Sequence, residues 1–235
     1  MAGILSQVTE IPRKTMVMFF LLDTSGSMEG DKIASLNDAM RETLPDLRDI
    51  SDRNADAIIK LAVLDFAMGT EWVTPVPQEL SSFRWQDLEA GGCTDLGEAC
   101  RQLDAKLNTS QFLQDKVGNY APVIILLSDG EPTDDFDGGL AQLKQNKWFN
   151  AAVKIALAVG SDANPDTLAK FTGNRELVIP IMGKAMMKRL IRFVSVTSSK
   201  IGSQKAGGSK QEQLVEQVKQ EMQELDPEQD ISEGW

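Results

Sequence analysis

Residues 16–22, 57–66, 123–127 and 153–159 are short apolar runs spread along the chain, and helical patterns separate most of them. The first, Met-Val-Met-Phe-Phe-Leu-Leu, has no polar position, so it reads as a strand covered on both faces rather than one with a wet side. Residues 31–47 follow as a helix, with Ile33, Leu36, Ala39, Met40, Leu44 and Leu47 near helical spacing. Pro45 inside that helix predicts a kink or an early stop. Further helices are expected over 96–107, 140–149, 164–171 and 185–195, and further strands over 71–76 and 177–181. Only residues 67–70 separate the second strand from the third, too few for a parallel crossover. That pair is expected to be a hairpin with an antiparallel edge, which Pro75 and Pro77 suit. Strands alternating with helices imply an α/β sheet with helices on both faces.

The length of 235 residues and an apolar content of 42% permit one domain with a substantial core. A net charge of -11 argues against non-specific nucleic-acid binding and against an anionic membrane surface. The chain has no histidine, which excludes mechanisms that need an imidazole base and removes the commonest zinc ligand. Two cysteines, Cys93 and Cys100, are too few for a disulfide framework and read as reduced thiols, one in a loop and one in a helix. The first 15 residues lack a basic start followed by a long apolar stretch, and residues 16–22 fall far short of the roughly 20 a membrane helix requires. A cytoplasmic protein without a membrane span is expected.

Three parts are expected: an extension over residues 1–14, a domain over 15–201, and a flexible linker with an acidic tail over 202–235. In the last part three lysines face eight acids, and Leu214, Val218, Met222 and Leu225 form a narrow stripe on a short helix. A solvated tail is the favoured reading, because so short a helix is marginal alone, and a docking helix for a partner groove is the alternative. Trp72, Trp85 and Trp148 read as packing residues, and Trp235 as part of a docking segment or of nothing ordered.

The chemistry concentrates at Asp23-Thr24-Ser25-Gly26-Ser27. Asp23, Ser25 and Ser27 sit at alternate positions, so on an extended segment their oxygens point the same way. Hard oxygens hold hard cations such as Mg2+. Thr94 follows a glycine pair and Asp129 lies just past a buried strand, as Asp23 does. Ligands of open α/β sheets bind beyond the carboxyl ends of strands where strand order reverses. If the strands before Asp23 and Asp129 are neighbours there, the two carboxylates meet and Thr94 reaches the same spot. Helix capping explains one such residue easily and three at alternate positions poorly.

These segments resemble the metal-ion-dependent adhesion site of von Willebrand factor A domains, and the order of elements over residues 15–197 resembles that fold. Within the family, residues 20–28, 91–96 and 126–134 are similar to bacterial, cytoplasmic TerY-type proteins of tellurium-resistance and stress systems. The resemblance implies that Ser25 and Ser27 bind the ion directly and Thr94 directly or through water. Asp23 and Asp129 would act mainly through bound waters and supply countercharge. It also implies Mg2+, with Mn2+ or Ca2+ as alternatives, and a protein partner supplying an Asp or Glu to the open position. A protein kinase and a metal-dependent protein phosphatase are the implied associates. Cys93 departs from the small residue many relatives place before the threonine. Glu131, Asp134 and Asp135 could tune the site, although Asp134 and Asp135 read better as a solvated acidic loop, and Asp95 as a helix-start residue.

Two other functions fit the residues less well. A Mg2+-dependent phosphatase-like hydrolase using Asp23 would need a second aspartate two positions on, where Ser25 stands. A nucleic-acid surface through Lys184, Lys188, Arg189 and Arg192 is outweighed by the overall acidity, and a solvated helix face is expected instead. The expectation is therefore a non-enzymatic, metal-dependent interaction module. Its fold is a three-layer α/β domain with strand order 3-2-1-4-5-6 and strand 3 antiparallel.

Overall fold

The computed structural model describes residues 12–129, 131–161, 163–203 and 209–224. In chain order the elements are β1 (Lys14–Asp23), α1 (Asp31–Arg53), β2 (Ala57–Ala67), β3 (Gly69–Trp72), β4 (Gln78–Glu79), α2 (Leu96–Lys106), β5 (Val123–Ser128), α3 (Phe136–Leu143), α4 (Lys147–Ala151), β6 (Val153–Val159), α5 (Pro165–Thr172), β7 (Val178–Ile181), α6 (Lys184–Gly202) and α7 (Lys210–Glu224). The sheet runs β3-β2-β1-β5-β6-β7, with β4 also paired to β2. β3 and β4 are antiparallel to β2, and every other pairing is parallel.

Because residues 16–22 of β1 are apolar throughout, alternate residues feed separate cores. Met16, Met18, Phe20 and Leu22 join one cluster with residues of α1, α6 and α7. Val17, Phe19 and Leu21 join another with residues of α2, α3 and α5. The three-layer arrangement and strand order agree with the expectation, apart from the additional short β4.

Four elements depart from the sequence reading. α1 does not stop near Pro45 but runs on to Arg53. One missing amide donor is outweighed by the burial of Leu36, Met40, Leu44 and Leu47 on its inner face. The third strand begins earlier and ends at Trp72, not at residue 76. Past it, the buried Thr74 hydroxyl accepts from the Val63 amide at 2.8 Å, so a side chain replaces the ladder bond. The helix expected over 140–149 is two helices, α3 and α4. Asn146 sets the break: its amide donates to the Asp104 carboxylate at 2.9 Å and the Leu107 carbonyl at 3.1 Å, while its oxygen caps Trp148 N–H at 2.9 Å.

The fourth departure is at the carboxyl end. Gly202, expected to open a flexible linker, is the last residue of α6, where a Cβ would stand 2.6 Å from Met16 Sδ and 2.8 Å from Val123 Cγ2. α7, expected as part of a solvated tail or as a helix docked in a partner, packs on its own domain, with Leu214 and Val218 buried. The Gln211 side chain accepts from Lys154 N–H at 3.0 Å and donates to Lys154 C=O at 2.9 Å, beside the part of β6 that precedes its pairing with β7. The basic residues of α6 keep the partly solvated face expected of them and form ion pairs there: Lys184 with Asp31, Lys188 with Glu42, Arg189 with Glu221 and Arg192 with Asp46. Leu225, Trp235 and most of the first 14 residues lie outside the described residues.

Candidate metal centre

β1 and β5 are parallel neighbours at the point where strand order reverses, and Leu22 is in register with Leu127. Asp23 therefore falls beside Ser128, with Asp129 one step beyond. The Ser128 hydroxyl donates to Asp23 Oδ2 at 2.5 Å, and the Ser25 amide donates to Oδ1 at 2.9 Å. The Asp23 side chain has no solvent exposure. Burial pushes its pKa up to about 6, against the pull of the bonds from Ser128 and Ser25, and the Asp129 charge pushes it the same way as burial.

After Asp23 the chain turns through Ser25, which is buried, to Ser27, which is exposed, and their hydroxyls stand 3.0 Å apart. The glycine pair closes over this turn: Gly26 N–H donates to the Gly92 carbonyl at 3.0 Å and Gly91 N–H to the Thr24 carbonyl at 2.7 Å. Gly92 has φ 81°, a conformation that suits glycine. Thr24, between the two acceptor positions of the motif, turns the other way; its hydroxyl bonds the Asp65 carboxylate and its amide bonds the Phe66 carbonyl at 3.0 Å. Burial raises the Asp65 pKa, partly offset by the Thr24 bond.

Thr94 is buried, donates its amide to the Thr133 hydroxyl at 3.0 Å and accepts the Thr133 amide at 2.9 Å. The Thr94 loop is thereby tied to the loop that follows Asp129. Asp129 is 4% exposed and receives a long bond from Glu131 N–H at 3.4 Å. Its carbonyl accepts from Asn164 N–H at 2.6 Å, while Glu131 accepts from the Asn164 side chain. Gly130, expected beside Asp129, lies outside the described residues.

The acids around the site have structural work that the sequence reading missed. Asp95 precedes α2, as expected of a helix-start residue, yet its carboxylate accepts from Gly69 N–H at 2.7 Å rather than capping α2. Asp134 caps α2 instead, accepting from Gly97 and Glu98 N–H at 2.8 and 2.7 Å. Asp135 caps α3 and pairs with Arg101 at 3.0 Å. Neither is a merely solvated acid. Ser128, Thr133 and Asp65 carry no signal in the sequence, because each acquires its partner only through strand register or loop contact.

The donor set fits a hard divalent ion. Asp23 and Asp129 are buried carboxylates whose charges act on each other, and among the described residues neither has a Lys or Arg partner. The Ser25 hydroxyl bonds Asp23 and stands beside that of Ser27, and Thr94, two residues past the Gly92 that bonds this turn, is tied to the loop after Asp129. Among the described residues no group of three or more His, Cys, Asp or Glu stands together for metal binding, so any ion here must rely on hydroxyls as well. The arrangement is poor for a phosphatase nucleophile, since both Asp23 oxygens are engaged and the side chain is shielded from solvent. No described helix is long and apolar enough to cross a membrane.

Residues 18–131 match the family model of the von Willebrand factor type A domain. A stretch of 115 residues is 29% identical to inter-alpha-trypsin inhibitor heavy chain H1 of Bos taurus, covering 49% of this chain and 13% of that protein. Solved structures share the fold at low identity. A von Willebrand factor type A protein from Catenulispora acidiphila aligns with TM-score 0.60 at 19% identity, over 79% of this chain and 43% of that one. The pilus adhesin SpaC of Lactobacillus rhamnosus GG gives 0.61 at 14%, over 79% and 30%. Proximal thread matrix protein 1 from the mussel byssus, with a zinc-occupied MIDAS motif, gives 0.60 at 14%, over 80% and 48%. The chain thus spans less than half of each of these proteins. Family match and shared fold together support a von Willebrand factor A domain, with Asp23, Ser25, Ser27, Thr94 and Asp129 all inside the matched residues.

Proposed function

We propose that this chain is a non-enzymatic, metal-dependent protein-interaction module. Asp23, Ser25, Ser27, Thr94 and Asp129 would hold a divalent cation, Mg2+ first, with Mn2+ or Ca2+ as alternatives. A bound cation supplies an electron-poor centre that accepts a carboxylate from a partner protein. The chain's own residues do the rest: two carboxylates balance the charge, Ser128 and the Ser25 amide hold Asp23 in place, and the glycine pair fixes the turn that carries the serines. The observation that carries this reading is the pairing of buried Asp23 and Asp129 at the reversal point without a cationic side chain among the described residues. The mussel protein of like fold, with its zinc-occupied MIDAS motif, supports it. The likeness to TerY-type proteins extends the proposal to a cytoplasmic setting in a bacterial stress-response or phospho-signalling complex, with a kinase and a metal-dependent phosphatase as partners.

Thermal unfolding with increasing Mg2+ or Mn2+ tests the site. Binding to the folded state stabilises by mass action, about 2.7 kcal/mol at a hundred times the Kd. The melting temperature is expected to rise with metal in the wild type and to stay flat in the Asp23→Ala, Asp129→Ala double variant. Equal responses from the two proteins would remove the metal assignment.

A further inference from the structure

Met68, Val76 and Val117 are the large apolar side chains left exposed among the described residues, and Met68 is the most exposed at 80%. It sits in the turn between β2 and β3, beside the candidate metal loops. The turn is held rigidly from both sides by one residue: Asp95 N–H donates to the Ala67 carbonyl at 3.0 Å, and Gly69 N–H donates to the Asp95 carboxylate at 2.7 Å. Met68 is thereby set against Gly92, where an added Cβ would come within 3.1 Å of the Met68 Cβ. Gly92 in turn accepts from Gly26, between Ser25 and Ser27. One glycine therefore separates a large solvated thioether side chain from the hydroxyl turn. A solvated apolar side chain on a backbone held at this place gives nothing to the core, and covering it would be favourable.

On the far side of the glycine pair the surroundings are acidic. Glu29 Oε1 lies 3.9 Å from the place of a Cβ on Gly91 and 4.0 Å from that on Gly26, and Glu29 and Glu131 are both exposed. A run of acids would be repelled here, whereas a single acid among aliphatic residues would not.

We propose that Met68 is a specificity-determining contact of the site, receiving an aliphatic side chain that flanks the partner's metal-directed carboxylate. The partner segment is a lone Asp or Glu set among aliphatic residues, and this inference rests on the metal-site reading above.

Calorimetric titration of the full chain in Mn2+ with three blocked peptides tests it: Leu-Asp-Leu, Gly-Asp-Gly and Asp-Asp-Asp. The leucine-flanked peptide is expected to bind about tenfold more tightly than the glycine-flanked one, as burial of a leucine-sized group implies. Asp-Asp-Asp is expected to bind no better than Gly-Asp-Gly. Met68→Gln should bring Leu-Asp-Leu down to the level of Gly-Asp-Gly, Met68→Leu should keep the preference, and both variants should bind Mn2+ as the wild type does. Equal affinity for the first two peptides, or a preference that survives Met68→Gln, overturns the role of Met68 and leaves the metal site standing. Peptide binding that does not change on adding EDTA overturns both.

Discussion

Chemically identical side chains acquire opposite properties from their surroundings in this chain. Cys93 is exposed beside Thr94, whereas Cys100 is buried in α2 and burial pushes its thiol well above the ordinary range. A maleimide at pH 8 should therefore label one thiol per folded chain and two after denaturation, with Cys93→Ser abolishing the native label. Mass spectrometry of the adducts checks this directly. The same dependence on surroundings explains what could be read at this scale. Alternation of Asp23, Ser25 and Ser27 is visible in the letters, because an extended backbone repeats every two residues. The Ser128 bond to Asp23 spans 105 positions, and the Asp134 cap on α2 spans 36 and 37. Neither can be seen before strand register and helix packing are known.

At the scale of elements, local pattern decided the buried parallel strands, and tertiary contact decided the edge strands and the ends of helices. The run at 153–159 matches β6 at both ends, since a buried parallel strand is a mainly apolar run, here broken only by the half-buried Lys154. Pro45 predicts a kink or an early stop, yet burial of its inner face carries α1 past Pro45 to Arg53. α7 looked too short and polar to hold, and it holds because Leu214 and Val218 find a core and Gln211 finds an open backbone. Lys219 with Glu176 and Arg189 with Glu221 add exposed or half-exposed pairs of small worth. Leu214→Ala is expected to destabilise the domain by about 2–5 kcal/mol, the usual cost of emptying a fully buried leucine site. Urea unfolding measures it, and a loss below about 1 kcal/mol would mean that α7 is not part of the cooperative unit.

For the whole molecule, the cores on the two sheet faces are built from apolar side chains, and none of the five candidate ligands belongs to either. Folding should accordingly need no ion: EDTA is expected to leave the far-ultraviolet circular dichroism and the cooperativity of unfolding unchanged, while removing only the metal-dependent part of the stability. Collapse of the spectrum on chelation would make the ion structural instead.

The two flanks of the sheet have a consequence for recognition. On one side Pro75 and Pro77 interrupt the chain between β3 and β4, and on the other Pro180 stands within β7, where it has no amide to offer. The Gln211 side chain fills the backbone that β7 leaves unpaired on β6. Growth by β-augmentation is blunted on both margins, which also guards against edge-to-edge polymerisation. Neither rib of the molecule thus offers a visiting strand a ready place to add.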